Sequence, residues 1–207
     1  MGLRRTDSPP LHPVVPRRWG RDREGLLAQL HEGLGHERRW AARDLAEHPD
    51  TAAQLGAHLG DEQDPSVREA LFTSLSTHAN EAAAAALIPL LRSEDASLRN
   101  GAIEALAGMP AAVAPRMAAL LHDRDPDVRI FTVNLLGDLR HPRVADWLVD
   151  VLMRDNEVNV VAAAIEVLAE VGGPQHRPAL TEVVRRFPDD PFIGFAADMA
   201  AGRAEAA

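Results

Sequence analysis

Four arginines stand at one recurring position of the chain: Arg38, Arg68, Arg99 and Arg129. The last three each follow an aspartate by four residues, namely Asp64, Asp95 and Asp125. Guanidinium groups repeated in this way could line a groove for anions. They could also pair with the aspartate of their own or a neighbouring unit, as such an arginine usually does in repeats of this kind. Asp64, Arg68, Asp95, Arg99, Asp125 and Arg129 are therefore expected to form an internal ladder. Val161 holds the position in the next copy, so the ladder stops there.

A second row recurs six residues after each apolar anchor of the repeat: Arg43, Thr73, Glu104, Asn134 and Glu166. Four residues further on stand Glu47, Thr77, Gly108, Asp138 and Glu170. Residues four apart share one face of a helix, so the two sets form one strip, which is acidic in its second half. Ile130 and Phe131 are adjacent, and both cannot easily point into a core. Glu104, Ile130, Phe131, Asn134, Asp138, Glu166 and Glu170 are the candidate partner-binding residues. An acidic strip beside an exposed apolar side chain suits another protein that offers an apolar anchor and a basic segment.

Other chemistry is thinly represented. With no cysteine, the chain has no disulfide, thiolate metal site or cysteine nucleophile. His31-Glu32 and His36-Glu37 are two His-Glu dipeptides, both within the first unit. Other histidines fall near helix ends, where a cation suits the helix dipole. No Ser-His-Asp set, glycine-rich phosphate loop or paired-carboxylate signature stands out. No catalytic residue, metal ligand or cofactor is assigned.

These rows rest on a repeat. Asp64 to Leu75, Asp95 to Leu106, Asp125 to Leu136 and Glu157 to Leu168 are copies, with a degenerate one from Glu37 to Leu45 and a frayed one from Asp190. The closing leucines, Leu45, Leu75, Leu106, Leu136 and Leu168, are spaced by 30, 31, 30 and 32 residues. Each copy opens with a capping acid, and proline follows in three of them. Apolar residues then return at helical spacing, as in Val67, Leu71 and Leu75. A second helical pattern lies between copies, over 82–91, 113–121, 144–152 and 180–187. Helix A and helix B then form a unit whose apolar face is hidden only by stacking. The polar strip is the outer face of the B helices and is expected to line the concave surface.

The copies at 64–75, 95–106 and 125–136 resemble the short HEAT-like repeat named from phycobilin lyases, whose pattern is Asp-x-x-Val-Arg-x-x-Ala-x-x-x-Leu. The resemblance covers roughly 25–204. It implies an all-α, right-handed α-solenoid (α-α superhelix) of five to six helix pairs, and it says little about function. Relatives of this kind include bilin lyases, iron-binding deoxyhypusine hydroxylases and enzymes that remove alkylated purines from DNA. The hydroxylase pattern needs His-Glu dipeptides in both halves of the solenoid, and here they occur in one.

Net charge is −9, and residues 1–24 contribute +3 through six arginines against Asp7, Asp22 and Glu24. The remainder carries −12, which disfavours nucleic acid. There is no lysine and no tyrosine, the imprint expected of a GC-rich bacterial genome. No apolar run is long enough to span a membrane, and none follows Arg4-Arg5 as a secretory signal would require. The chain is expected to be a cytoplasmic monomer, with a flexible Pro/Arg-rich extension over 1–22 and the solenoid over 23–204. The leading function is a non-enzymatic scaffold binding a partner along the concave face. The alternative is a bilin-lyase-like or chaperone-like accessory protein acting on a cofactor-bearing partner.

Overall fold

The computed structural model describes residues 18–206, with side chains to Arg203. Among these residues all regular structure is helical, and no helix is long and apolar enough to cross a membrane. The chain alternates between two layers. Helix α1 (Arg23–Glu32) packs on α2 (Gly35–Asp44), and α3 (Ala52–Asp61) on α4 (Pro65–His78). Next, α5 (Glu81–Leu87) runs into a 3-10 segment, Ile88–Arg92, which packs on α6 (Ala96–Ala107). The short helices α7 (Pro110–Val113) and α8 (Met117–Leu121) flank another 3-10 turn before α9 (Pro126–Asp138). Finally α10 (Val144–Arg154) pairs with α11 (Val158–Val171), and α12 (Arg177–Arg186) with α13 (Pro191–Ala206).

The motif helices α2, α4, α6, α9, α11 and α13 contact one another in chain order and make one layer of an all-α solenoid. The helices before them make the other. Outside its own layer, each motif helix packs more closely on the helix that precedes it than on the one that follows, so the motif supplies the second helix of every pair. The frayed copy at Asp190 forms a complete sixth pair. Its carboxylate accepts the Phe192 and Ile193 amides at 3.0 and 3.1 Å, as a good N-cap does.

Local rules explain the helices. Asp64, Asp95 and Asp125 each accept a first-turn amide, at 2.9, 2.8 and 3.0 Å. Pro65, Pro126 and Pro191 take the first helical position, where no amide bond is lost. Pro89 and Pro115 fall further inside the second layer, and there the chain tightens to 3-10 turns. A proline lacks the amide that an α-turn requires, which accounts for the break.

The core is the interface between layers and between units. Val67, Leu71, Leu75, Ala102, Leu106, Val133, Leu136, Val160 and Ile193 are fully buried. Burying each leucine contributes about 1.5–3 kcal/mol relative to exposure. Small residues let the second layer close up. A Cβ on Gly56 of α3 would lie 2.5 Å from the Ala86 Cβ of α5.

Residues 1–17, most of the expected extension, lie outside the described residues. Arg21 reaches Asp44 at 2.6 Å and Arg18 reaches Glu32 at 3.3 Å, so 18–22 sit against the first unit.

Candidate functional site

The motif helices carry two functional rows, one buried at the unit junctions and one facing solvent.

The junction row contains the arginines. Arg38, Arg68, Arg99 and Arg129 each donate to a backbone carbonyl of the loop just before their own helix: Gly33, Glu62, Ser93 and Asp123. Three of them also reach a carboxylate of the next unit. Arg38 forks onto Glu62 with two bonds of 2.8 Å. Arg68 meets Asp95 at 2.7 Å. Arg129 forks onto Asp155 at 2.6 and 3.0 Å. These fixed charges tune one another. Bonding to Asp155 raises the Arg129 pKa, and the Arg68 bond lowers that of Asp95. Burial pushes the Glu62 carboxyl up, but bonds from Arg38, the Asp64 amide and His58 outweigh it and hold the group at about 2. Burial lowers the His58 pKa, against the pull of Glu62 at 3.1 Å.

The geometry departs from the expected ladder at three places. The Asp64 carboxylate caps its own helix through Ser66 and, among the described residues, meets no arginine. Asp125 lies near Arg92, at 3.5 Å, and not near Arg99. Arg99 meets no carboxylate among the described residues. Its guanidinium lies 4.5 Å from the centre of the Phe131 ring, and its Nε has no hydrogen-bond partner. Sequence reasoning missed the position two residues before each cap. Glu62, Ser93, Asp123 and Asp155 stand there, and each accepts the amide of the capping residue. Where that position is acidic it also takes an arginine: Arg38 on Glu62, Arg92 on Asp123 and Arg129 on Asp155. Where it is Ser93, Arg68 reaches past it to Asp95. Opposite Val161, Arg186 of α12 fills the place by donating to the carbonyls of Leu152 and Asp155. The recurrence of those acids at the repeat period was the available signal.

The outward row contains the candidate binding residues. Glu104, Asn134, Asp138, Glu166 and Glu170 are all exposed. None of their carboxylates forms an ion pair among the described residues. Ile130 and Phe131 do not stand out as an exposed anchor. Both are half-buried and pack against the core, and Arg99 covers the Phe131 ring. Adjacency misled here because α9 turns Ile130 to one flank of the core and Phe131 to the junction with α6.

The exposed apolar surface lies elsewhere. Phe192, Phe195 and Met199 of α13 are 51%, 65% and 53% exposed. Their spacing of three and four residues puts them on one helix face. Aligned on the buried anchors Val67 and Ile193, they occupy the register of Ser66, Glu69 and Thr73 in α4. The row that is polar in α4 is therefore apolar in α13. A groove of about 380 Å³ between α11 and α13 is lined by Glu166, Glu170, Phe192, Phe195, Met199 and Arg203. A second groove of about 840 Å³ lies between α4 and α6 on the same row. Its floor holds Gly101, against which the Phe72 ring lies so closely that a Cβ there would be 2.4 Å from it.

The His-Glu dipeptides are spent on local structure. His31 meets the His58 ring edge-on at 5.2 Å, and the Glu37 carboxylate accepts the Leu34 amide at 2.8 Å. Among the described residues no three His, Asp or Glu side chains gather as a metal site would need.

Among solved structures the chain is similar to an engineered protein at 20% identity, with 88% of this chain and 96% of that one covered and a TM-score of 0.39. It is similar to a designed armadillo repeat protein at 17% identity, covering 86% and 98%, with a TM-score of 0.40. It is also similar to the complex of CpcE and CpcF of phycocyanin lyase from Nostoc sp., at 16% identity, covering 95% and 99%, with a TM-score of 0.36. No curated protein matches it. The family model for HEAT repeats matches residues 24–107 and 113–197, blocks that together take in five complete motif helices and the start of the sixth. The chain belongs to the HEAT repeat family.

Proposed function

We propose that this protein is a non-enzymatic scaffold that binds a partner protein along the outward row of its motif helices, in the cytoplasm. The observation that carries this reading is the change of that row at α13. Phe192, Phe195 and Met199 stand in water at positions that are polar in α4 and α6. A contiguous apolar patch with a charged rim marks an interaction surface, because leaving it in water is unfavourable. Aromatic and methionine side chains of this kind supply most of the binding energy when a partner desolvates them. From α4 to α11 the row is acidic and would repel a phosphate backbone, which favours a protein partner over nucleic acid.

The test is affinity capture from the native host with the wild type and a Phe192→Ser/Phe195→Ser variant. Specific partners should be retained by the wild type and lost from the variant, while both proteins keep the same helical circular dichroism. Equal capture by the two would place the binding surface elsewhere.

A further inference from the structure

The outward row has an order as well as a composition. In α2 it carries His36, Arg39 and Arg43, with Glu47 at the end. Arg43 is exposed, and the Nε of Arg39 has no hydrogen-bond partner. Neither guanidinium meets a carboxylate among the described residues. From α4 to α11 the row has no cation. It carries Glu69, Glu104, Asp127, Asp138, Glu166 and Glu170, none of them in an ion pair among the described residues. In α13 it turns apolar at Phe192, Phe195 and Met199 and ends on Arg203. The junction arginines Arg38, Arg68 and Arg129 each meet a carboxylate, whereas among the described residues these charges of the outward row do not.

We infer that the row is directional: it takes an extended polypeptide segment whose acidic end lies over Arg39 and Arg43, whose basic middle lies over the α6 to α11 carboxylates, and whose apolar end docks on Phe192, Phe195 and Met199. This rests on the proposed function and adds the chemistry and polarity of the partner. Complementary charge chooses between registers, because like charges brought face to face oppose binding. The apolar end supplies the anchor and the charged blocks supply the orientation. Six helices packed about 9–10 Å apart span about 45–50 Å. An extended chain advances about 3.3 Å per residue, so about 15 residues cover the row.

The experiment uses two synthetic peptides of that length with identical composition and a fluorophore. One has the block order acidic, basic, apolar. The other exchanges the acidic and basic blocks and keeps the apolar end. Anisotropy titration of the full chain should show the first binding at least about tenfold more tightly at low salt, with the gap narrowing as salt screens the charges. Arg43→Glu should shrink the gap, and Phe195→Ser should weaken both peptides together. Equal binding of the two peptides, with loss on Phe195→Ser, overturns the direction and leaves the proposed function standing. Binding that Phe195→Ser leaves unchanged overturns both. So does self-association of the free protein that Phe195→Ser abolishes, since a second copy would then occupy the patch.

Discussion

In α4 and α13 the same helical register meets the same solvent, yet α4 presents Ser66, Glu69 and Thr73 while α13 presents Phe192, Phe195 and Met199. The inward positions of the two helices are alike: Val67 and Ile193 are fully buried. Folding therefore constrains the inner face and leaves the outer one free. A residue type that changes along the outer row while the inner row stays apolar answers to something other than the core. The interior phenylalanine makes the contrast sharper. Phe131 is held by the core and by Arg99, whereas Phe195 is held by nothing beyond its own helix and the α11 groove.

The largest expected effect lies at the buried junction row. Arg129→Ala removes a forked pair whose partner, Asp155, has only 7% of its side chain exposed. An uncompensated buried carboxylate should cost about 3 kcal/mol, read by urea unfolding. Phe131→Ala comes next. It empties a half-buried site and strips the Arg99 cover, and should cost about 2 kcal/mol. Phe195→Ala tests the other side of the comparison and should stay within about 0.5 kcal/mol of wild type. If it destabilises as much as Phe131→Ala, the α13 row is core and the contrast fails. Arg99→Ala should cost about 1 kcal/mol, since it loses a ring contact and one hydrogen bond but no ion pair. Arg23→Ala, which breaks an exposed pair with Asp50, should shift the midpoint least of all.

The first junction also has a pH signature. Glu62 has its pKa lowered from 4.5 to about 2, so its charged bonds add stability above pH 4.5, and this is lost as pH falls towards 2. Wild type should lose stability across that window, and Glu62→Gln should lose less. An identical slope for both would remove Glu62 from the junction account.

Much of the fold was legible because it is periodic. The acids from Asp64 to Glu157 and the closing leucines recur every 30 to 32 residues, and periodic signals add up across copies. The ladder was half legible. Arg68 with Asp95 follows from the capping pattern, but the two forked pairs do not use a capping aspartate. Glu62 and Asp155, two residues earlier, are better placed to take a fork. Ser93 interrupts that series, and so no simple rule of arginine plus capping aspartate covers every junction. The binding row was legible as a face and not as an anchor. Glu104, Asn134, Asp138, Glu166 and Glu170 are exposed as helical spacing requires. Ile130 and Phe131 are not, because a helix between two neighbours has flanks as well as an inside and an outside. Phe192 and Phe195 were overlooked because the sixth copy lacks the arginine and the closing leucine, carrying Gly194 and Ala201 in their places.

The most direct measurement exploits the absence of cysteine. Single cysteines carrying a photocrosslinker can be placed on the outward row, at Asn134 and Met199, and on the opposite layer, at Gln54 and Glu182, all four being exposed. With the partner retained by affinity capture, crosslinks should form from Asn134 and Met199 and not from Gln54 or Glu182. Crosslinks confined to Gln54 and Glu182 would put the partner on the other layer and contradict the assignment of the motif-helix row as the binding surface.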